Sequence, residues 1–493
     1  MVITLLIIPI VGILLLTPFT SEQKNASSIK KVALSTSLIN FFISLVLWAN
    51  FESNIPVAQI NYQFTQEFLV DQVTFCHFTV GVDGISLYFV LLTTFITPIC
   101  ILANWDNISV SQGLKYFLIA FLLLETLLIA VFVVLDILLF YVFFESVLIP
   151  LFLIVGIWGG SAKRVRAAYL LFLYTLFGSL FMLLSLLAMY YNVGSTDFQV
   201  ISATDISVDS QKLLWIGIFI SMAIKTPLVP FHIWLPRAHA EAPVGGSIIL
   251  AGLILKLATY GYMRIMLQFL PDASYIYGPF VQAIAGITVV YASLATLRQT
   301  DFKALIAYSS IGHIGVVVLG LFSNTIQGIE GAILLSIAHA FVSPALFILV
   351  GSVLYDRFHT RTIRYYRGIT TYIPVFSILF FVFTIFNTAV PLSSNWAGEF
   401  MCLVGAFQHN PISALFGSTG IVLSAAYSIW LYNRISFGTW SEYLNSPKKA
   451  GGDINRREFI LLLPLLIITI IIGIFPNAVL NIIHSSASTL IYS

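Results

Sequence analysis

Apolar runs of about twenty residues recur fourteen times along this chain, separated by short polar or Gly/Pro breaks. They lie at 2–20, 31–50, 82–103, 114–134, 136–158, 167–190, 212–231, 244–267, 275–297, 304–322, 328–354, 371–407, 412–436 and 458–480. Such a run is what a helix needs to cross the ~30 Å hydrocarbon core of a bilayer. Inside that core every backbone polar group must be paired within the protein, so only helices and closed barrels span it. A barrel would show alternating segments of ~10 residues, unlike these runs. The pattern predicts an all-α polytopic membrane protein with about fourteen transmembrane helices. The longest polar interval, about 51–81, is too short for a soluble domain.

Only 9% of the residues are charged, against ~25% in soluble domains. That excludes a soluble enzyme, a nucleic-acid binder and a disordered chain. It also makes each charge informative. Placing the loops alternately on two faces gathers 19 of the 23 lysines and arginines on one face, Lys303 among them. Lys212 and Arg264 fall on the other face, and Lys225 and Lys256 lie inside spans. The positive-inside rule makes the basic face cytoplasmic or matrix-facing. An even span count then puts both termini on the opposite face. Cys76, Cys100 and Cys402 lie far apart without a CxxC, so they offer no metal or disulfide framework. Each reads as a small buried hydrophobe. The first span starts at Met1 with neither a signal-peptide cleavage site nor an Arg/Ser-rich transit segment. That points to a bacterial chain or one made inside an organelle.

Two spans look broken, at Lys225-Thr-Pro-Leu-Val-Pro230 and at Asn387-Thr-Ala-Val-Pro-Leu-Ser-Ser-Asn395. Proline removes a backbone donor and clashes with the preceding turn. Exposed carbonyls at membrane depth are tolerated only beside protein or a water-filled cavity. A proline kink is often purely structural, but an ionisable residue stands next to each of these. Glu145 and His339 each precede a proline by five positions, followed by an apolar run ending in glycine. This echo is local. Paired broken helices nevertheless point to a transporter built from inverted halves.

Within the spans, a charge at mid-membrane costs roughly 2.5–3.5 kcal/mol to insert. Glu145 lies in FYVFFESVLIP, and Lys225 is its natural partner. Two charges ~4 Å apart attract by about 4 kcal/mol at an effective dielectric of ~20. Separating such a pair leaves a desolvated lysine ready to release its proton. Lys256, between Gly252 and Gly261, is too deep for easy snorkelling. Glu399 follows the second break, and Glu125 is a mid-span carboxylate. His313 and His339 suit proton relays, with Tyr308, Ser309 and Ser310 placed to hold water. Against these readings stand a structural ion pair for the charges and a hydrogen-bonded core group for each histidine. His232 and His239 sit in HIWLPRAHAEAP, seven apart, a spacing that matches no standard zinc motif. They fit either a proton entrance on the basic face or, with Trp234, interfacial anchoring. No P-loop, GxGxxG or haem-ligand pattern occurs. The residues describe a proton path without its own energy source.

The segments VGVDGISLYFVLLTTF, LLFYVFFESVLIPLFLIVGIWG, AIKTPLVPFHIWLPRAHAEAPVGGSIILAGLILKLATYG and LRQTDFKALIAYSSIGHIG resemble the chain 4 family of respiratory NADH:ubiquinone oxidoreductase (complex I). The resemblance covers essentially the whole chain. That family is one of three antiporter-like pumping subunits of the membrane arm and is related to Mrp-type sodium/proton antiporter subunits. The resemblance implies two inverted five-helix bundles with broken helices. It divides the chain into residues 1–110 (three N-terminal spans), 111–270 (first half), 271–440 (second half) and 441–493 (a loop and the last span). It implies that Glu145 pairs with Lys225, the central lysine. Lys256 is the next relay, His313 and His339 link the halves, and Glu399 is the exit-side residue. Relatives in the wider family carry lysine at the Glu399 position, so glutamate favours chain 4 over its two siblings. Arg237 stands where many relatives have an acid. The low-charge, phenylalanine-rich character looks mitochondrially encoded.

The expected function is proton translocation from matrix to intermembrane space, coupled to NADH oxidation and ubiquinone reduction in other subunits. On this reading NADH, FMN, iron–sulfur clusters and ubiquinone belong to those subunits. No redox chemistry, cofactor or metal is expected on this chain, and no nucleic acid. The partners are the other membrane-arm subunits, the two siblings included, and lipids. The location is the mitochondrial inner membrane, with both termini on the intermembrane-space side; a bacterial plasma membrane is the alternative. The rivals are an Mrp-type cation/proton antiporter subunit, a redox or quinone-binding subunit, and a passive scaffold.

Overall fold

The computed structural model describes residues 1–19, 22–52, 62–68, 78–108, 110–441, 443–444 and 452–492. Cys76, Lys448 and Lys449 lie outside them. The helices that matter here are α1 (Val2–Leu16), α2 (Glu22–Ala49), α3 (Gly84–Ala103), α4 (Leu114–Val133), α5 (Ile137–Ser146), α6 (Leu148–Trp158), α7 (Arg164–Val193), α8 (Val208–Lys225) and α9 (Trp234–Glu241). They continue with α10 (Val244–Leu267), α11 (Pro271–Leu297), α12 (Phe302–Leu321), α13 (Ile326–Phe358), α14 (Pro374–Asn387), α15 (Ser394–His409), α16 (Pro411–Ser436), α17 (Arg456–Ile474) and α18 (Asn477–Tyr492).

Eleven helices among the described residues are long and apolar enough to cross a membrane. Helix fills the other three predicted spans but misses that standard for local reasons. α1 has 15 residues. α8 carries Asp209, Lys212 and Lys225. The segment 371–407 is divided into α14 and α15 by its break.

Several acids that looked like loop charges start helices. Asp83 caps α3 in a capping box with Ser86. Asp136 caps α5, and Asp301 caps α12. Each carboxylate accepts backbone N–H groups that the first turn leaves unpaired.

Apart from His313–Glu399 within the spans, the ion pairs between distant segments join residues from the same face. Arg357–Glu458, Arg361–Glu241 and Arg457–Asp106 belong to the basic face. Arg264–Asp83 and His484–Glu330 belong to the other.

Two elements depart from the sequence reading. A short antiparallel ribbon, β1 (Gln63–Phe68) with β2 (Phe78–Val82), lies in the polar interval before α3. The last predicted span stops at Ile474, because Pro476 cannot continue the helix. A separate helix, α18, follows it.

α13 and α15 pack closely through glycine. A Cβ on Gly398 would stand 2.6 Å from the Leu335 backbone, and one on Gly405 would stand 2.5 Å from the Gly328 Cα. Small residues let helix backbones approach where the bilayer offers no hydrophobic drive.

Candidate functional site

The first ionisable group stands where α5 meets α6. Pro150 supplies no N–H to the preceding turn, and regular helix lapses at Val147. Glu145 sits just before that lapse, half-buried, and its Oε1 has no hydrogen-bond partner. Opposite, α8 ends at Lys225 because Pro227 and Pro230 follow, and helix resumes at Trp234. The break is lined with substitutes for the lost ladder. The Trp234 indole donates to the Ile224 carbonyl at 2.8 Å. Thr226 Oγ1 donates to the Met222 carbonyl at 2.7 Å, and the Val229 N–H donates to Thr288 Oγ1 at 3.0 Å.

Lys225 is 1% exposed. Its Nζ donates to the Phe144 carbonyl at 2.9 Å and lies 3.2 Å from the centroid of the Phe144 ring. No Lys225–Glu145 ion pair forms within 4.0 Å, although the two charges act on each other. The expected contact is therefore open in this state. The Phe144 ring face competes with the Glu145 carboxylate for the ammonium.

The second group is contiguous. Lys256 is 0% exposed. It lies on α10 between two π-helical stretches, Leu250–Ile254 and Tyr262–Leu267. Its Nζ donates to the Ala251 carbonyl at 2.6 Å and stands 2.9 Å from His339 Nδ1. The His339 and His313 rings are 5.7 Å apart. His313 Nδ1 is 2.6 Å from Glu399 Oε1. Spatial order therefore runs Lys256, His339, His313, Glu399. Both histidines keep a second nitrogen, Nε2, without a partner. Ser310 and Ser343 meet at 3.0 Å across α12 and α13. Tyr308 turns instead toward His232, with ring centroids 6.1 Å apart.

The second break, between Asn387 and Ser394, positions Glu399 one turn into α15. It contains two left-handed residues that are not glycine, Ala389 and Leu392, at φ 55° and 76°. Just inside it, buried Asn395 has neither side-chain atom paired, and Ser394 Oγ is also unpaired. Such groups at this depth fit a water-lined cavity.

The remaining predicted residues scatter. Glu125 is buried and accepts from Asn40 Nδ2 on α2 at 2.8 Å, outside the relay. His232 is buried beside the Tyr291 ring, 5.2 Å away. His239 is buried with both ring nitrogens unpaired and stacks on Phe347 at 4.6 Å. Cys100 and Cys402 are buried free thiols.

Two cations assigned to loops are interior. Lys303 is 3% exposed, in the first turn of α12. Arg264 is buried on α10, bonded to Asp83 and 3.1 Å from the Tyr260 hydroxyl. Hydropathy cannot separate a helix end from a loop when the charged residue sits at the boundary. Outside the spans, burial holds the Asp301 carboxyl above its ordinary value, against the pull of Arg361. Among the described residues, no three histidine, cysteine, aspartate or glutamate side chains gather as a metal site.

Residues 134–424 match the family model described as NADH:quinone oxidoreductase/Mrp antiporter, TM. NADH-ubiquinone oxidoreductase chain 4 of Mycosarcoma maydis is 74% identical over 490 residues, covering 99% of each chain. The protein of the same name from Chondrus crispus is 48% identical, covering 98% of this chain and 96% of its own. Among solved structures, a chain of respiratory complex I from Thermus thermophilus aligns over 100% of both chains, with a TM-score of 0.86 and 26% identity. A chain of the Mrp complex from Dietzia sp. aligns over 99% of this chain and 97% of its own, with a TM-score of 0.83 and 17% identity. That last likeness concerns the fold alone.

Proposed function

This chain belongs to the NADH-ubiquinone oxidoreductase chain 4 family of antiporter-like, proton-pumping membrane subunits, and we propose a route by which its own residues carry the proton. Lys225 is the switch, with Glu145 its alternating partner. Lys256 receives the proton and passes it through His339 and His313 to Glu399. Release follows beyond the second break, on the face opposite the basic one.

The observation that carries this reading is the row from Lys256 to Glu399, joined at 2.9 Å and 2.6 Å at its ends, with the two imidazole centroids 5.7 Å apart between them. The 5.7 Å step is between ring centroids, and the free Nε2 atoms leave room for a bridging water. Each group can exist with or without the proton it would pass. A scaffold would have no use for five ionisable groups buried in apolar helices, each costing free energy to insert.

Quinone chemistry belongs, on this reading, to other subunits of the oxidoreductase, which hold NADH, FMN, iron–sulfur clusters and ubiquinone. The two sibling antiporter-like subunits are the proposed neighbours. The mitochondrial inner membrane is the proposed location, with the basic face toward the matrix and both termini on the other side. The halves 111–270 and 271–440 are the proposed inverted units, each with one broken helix.

The test is Lys256→Met in the assembled complex. Proton translocation should collapse while the subunit still assembles. A normal ratio of protons moved to electrons transferred would sink the route.

A further inference from the structure

Beneath the basic face lies a cavity of about 260 Å³, bounded by Asn104, Asn107, Arg164, Lys303, Asp356 and Arg361. That is room for several waters, and polar walls keep water. Its floor is Lys303. The Lys303 Nζ gives one hydrogen bond to the Ala242 carbonyl at 2.8 Å, and an ammonium has three to give. The lysine stem runs past Gly351, where an added Cβ would meet Lys303 Cε at 3.7 Å. One turn before Gly351 is Phe347, on which the imidazole of His239 stacks. His239 is 0% exposed, and neither ring nitrogen has a partner. A buried imidazole with both nitrogens free is costly unless it exchanges them with water or another group. Burial first, and then the charges of Lys303 and Lys256, disfavour the imidazolium form of His239, so a proton arriving there is passed on and not held.

From this geometry we infer that Lys303 and His239 load the relay, taking protons from a watered vestibule on the basic face and delivering them to Lys256. The inference deepens the route proposed above and rests on it. A proton from the aqueous phase, carried across the vestibule by its waters, protonates the neutral Lys303 amine, and the waters are left unchanged. The ammonium gives that proton to one nitrogen of His239. The imidazolium releases the proton from its other nitrogen to Lys256, and Lys303 returns to the amine. Nothing is consumed: one proton leaves the aqueous phase at the basic face and arrives on Lys256.

The charged groups around Lys303 suit this task. Arg361 stands against it, and Asp356, Asp301 and Glu241 balance it. Arg361 is itself held by Glu241 at 3.2 Å and by Asp301 at 3.5 Å. Three carboxylates against one guanidinium leave the surround net negative, which favours taking up a proton from the vestibule.

The test uses the assembled complex in sealed vesicles. Lys303→Met should lower coupled proton translocation by about tenfold, short of the ~10²–10⁴-fold for losing a positioned acid–base group at the reacting centre. Lys303→Arg should fail equally, because a guanidinium keeps its proton. Pumping restored by Lys303→Arg would mean that only the charge matters, and would overturn the relay. If neither variant assembles, Asn107→Cys reads the vestibule directly. A membrane-impermeant thiol reagent should modify it from the basic face and slow pumping. No modification from that face would overturn the vestibule. Either failure leaves the main route standing, whereas normal pumping by Lys256→Met removes that route itself.

Discussion

The two broken helices hold their charges in opposite ways. At the first, Lys225 is held by a carbonyl and an aromatic ring, while Glu145 keeps an unpaired oxygen nearby. At the second, Glu399 is already bonded to His313, and His339 to Lys256. The first region is a pair with a second arrangement available. The second is a row whose two outer contacts are in place, with 5.7 Å between the imidazole centroids. A lysine with an alternative partner can be moved between partners by a small change in local field. A row of fixed groups needs a proton added at one end and a water across the space between its histidines.

The largest expected effect breaks the first region. Lys225→Ala should cut proton translocation by about a hundredfold or more, within the range for losing a positioned acid–base group. Pumping measured against NADH oxidation checks it, and undiminished coupling would show that the first region is passive. Next comes Arg264→Met, which strands buried Asp83 two turns beyond Lys256. Removing one member of a buried pair costs about 3–5 kcal/mol. Assembly and thermal stability should fall, and the double replacement Asp83→Asn with Arg264→Met, which keeps the cap on α3, should recover most of both. A single replacement as stable as the parent would remove that pair from the support of α10.

A smaller effect tests the second region. Gly398→Ala places a methyl against the Leu335 backbone and should cost about 1–3 kcal/mol by overpacking. It should also lengthen the His313–Glu399 contact; a structure of the variant with that distance unchanged would refute the packing argument. The smallest is Phe144→Leu, which removes a cation–π contact worth about 0.5–2 kcal/mol. Lys225 should then close on Glu145 to within ion-pair distance, visible in a structure. Lys225 still resting on the Phe144-position carbonyl would show that the ring does not hold the pair open.

Much of this was legible in the residues. The spans could be read from apolar length, and both breaks from Pro227, Pro230 and Pro391 beside ionisable neighbours. Lys256, His313, His339 and Glu399 stood out because charge is expensive at that depth. Their order in space was not legible, because helices α10, α12, α13 and α15 meet through packing that no linear window contains. Lys303 and Arg264 were misplaced for a different reason. A helix turn at a span's edge has the same hydropathy whether it faces water or a neighbouring helix. α18 escaped because its polar and apolar residues share every turn, so no continuous apolar run marks it.

The second break has a mechanical consequence. Ala389 and Leu392 are wound in the left-handed sense without the freedom of glycine, a strain of about 1–3 kcal/mol for each. α17 abuts this stretch at Gly473, where a Cβ would sit 2.2 Å from the Leu392 carbonyl oxygen. The break is thus a wound spring with the last span as its backstop. A displacement of that span would press first on the Leu392 carbonyl, two residues before the start of the helix that carries Glu399.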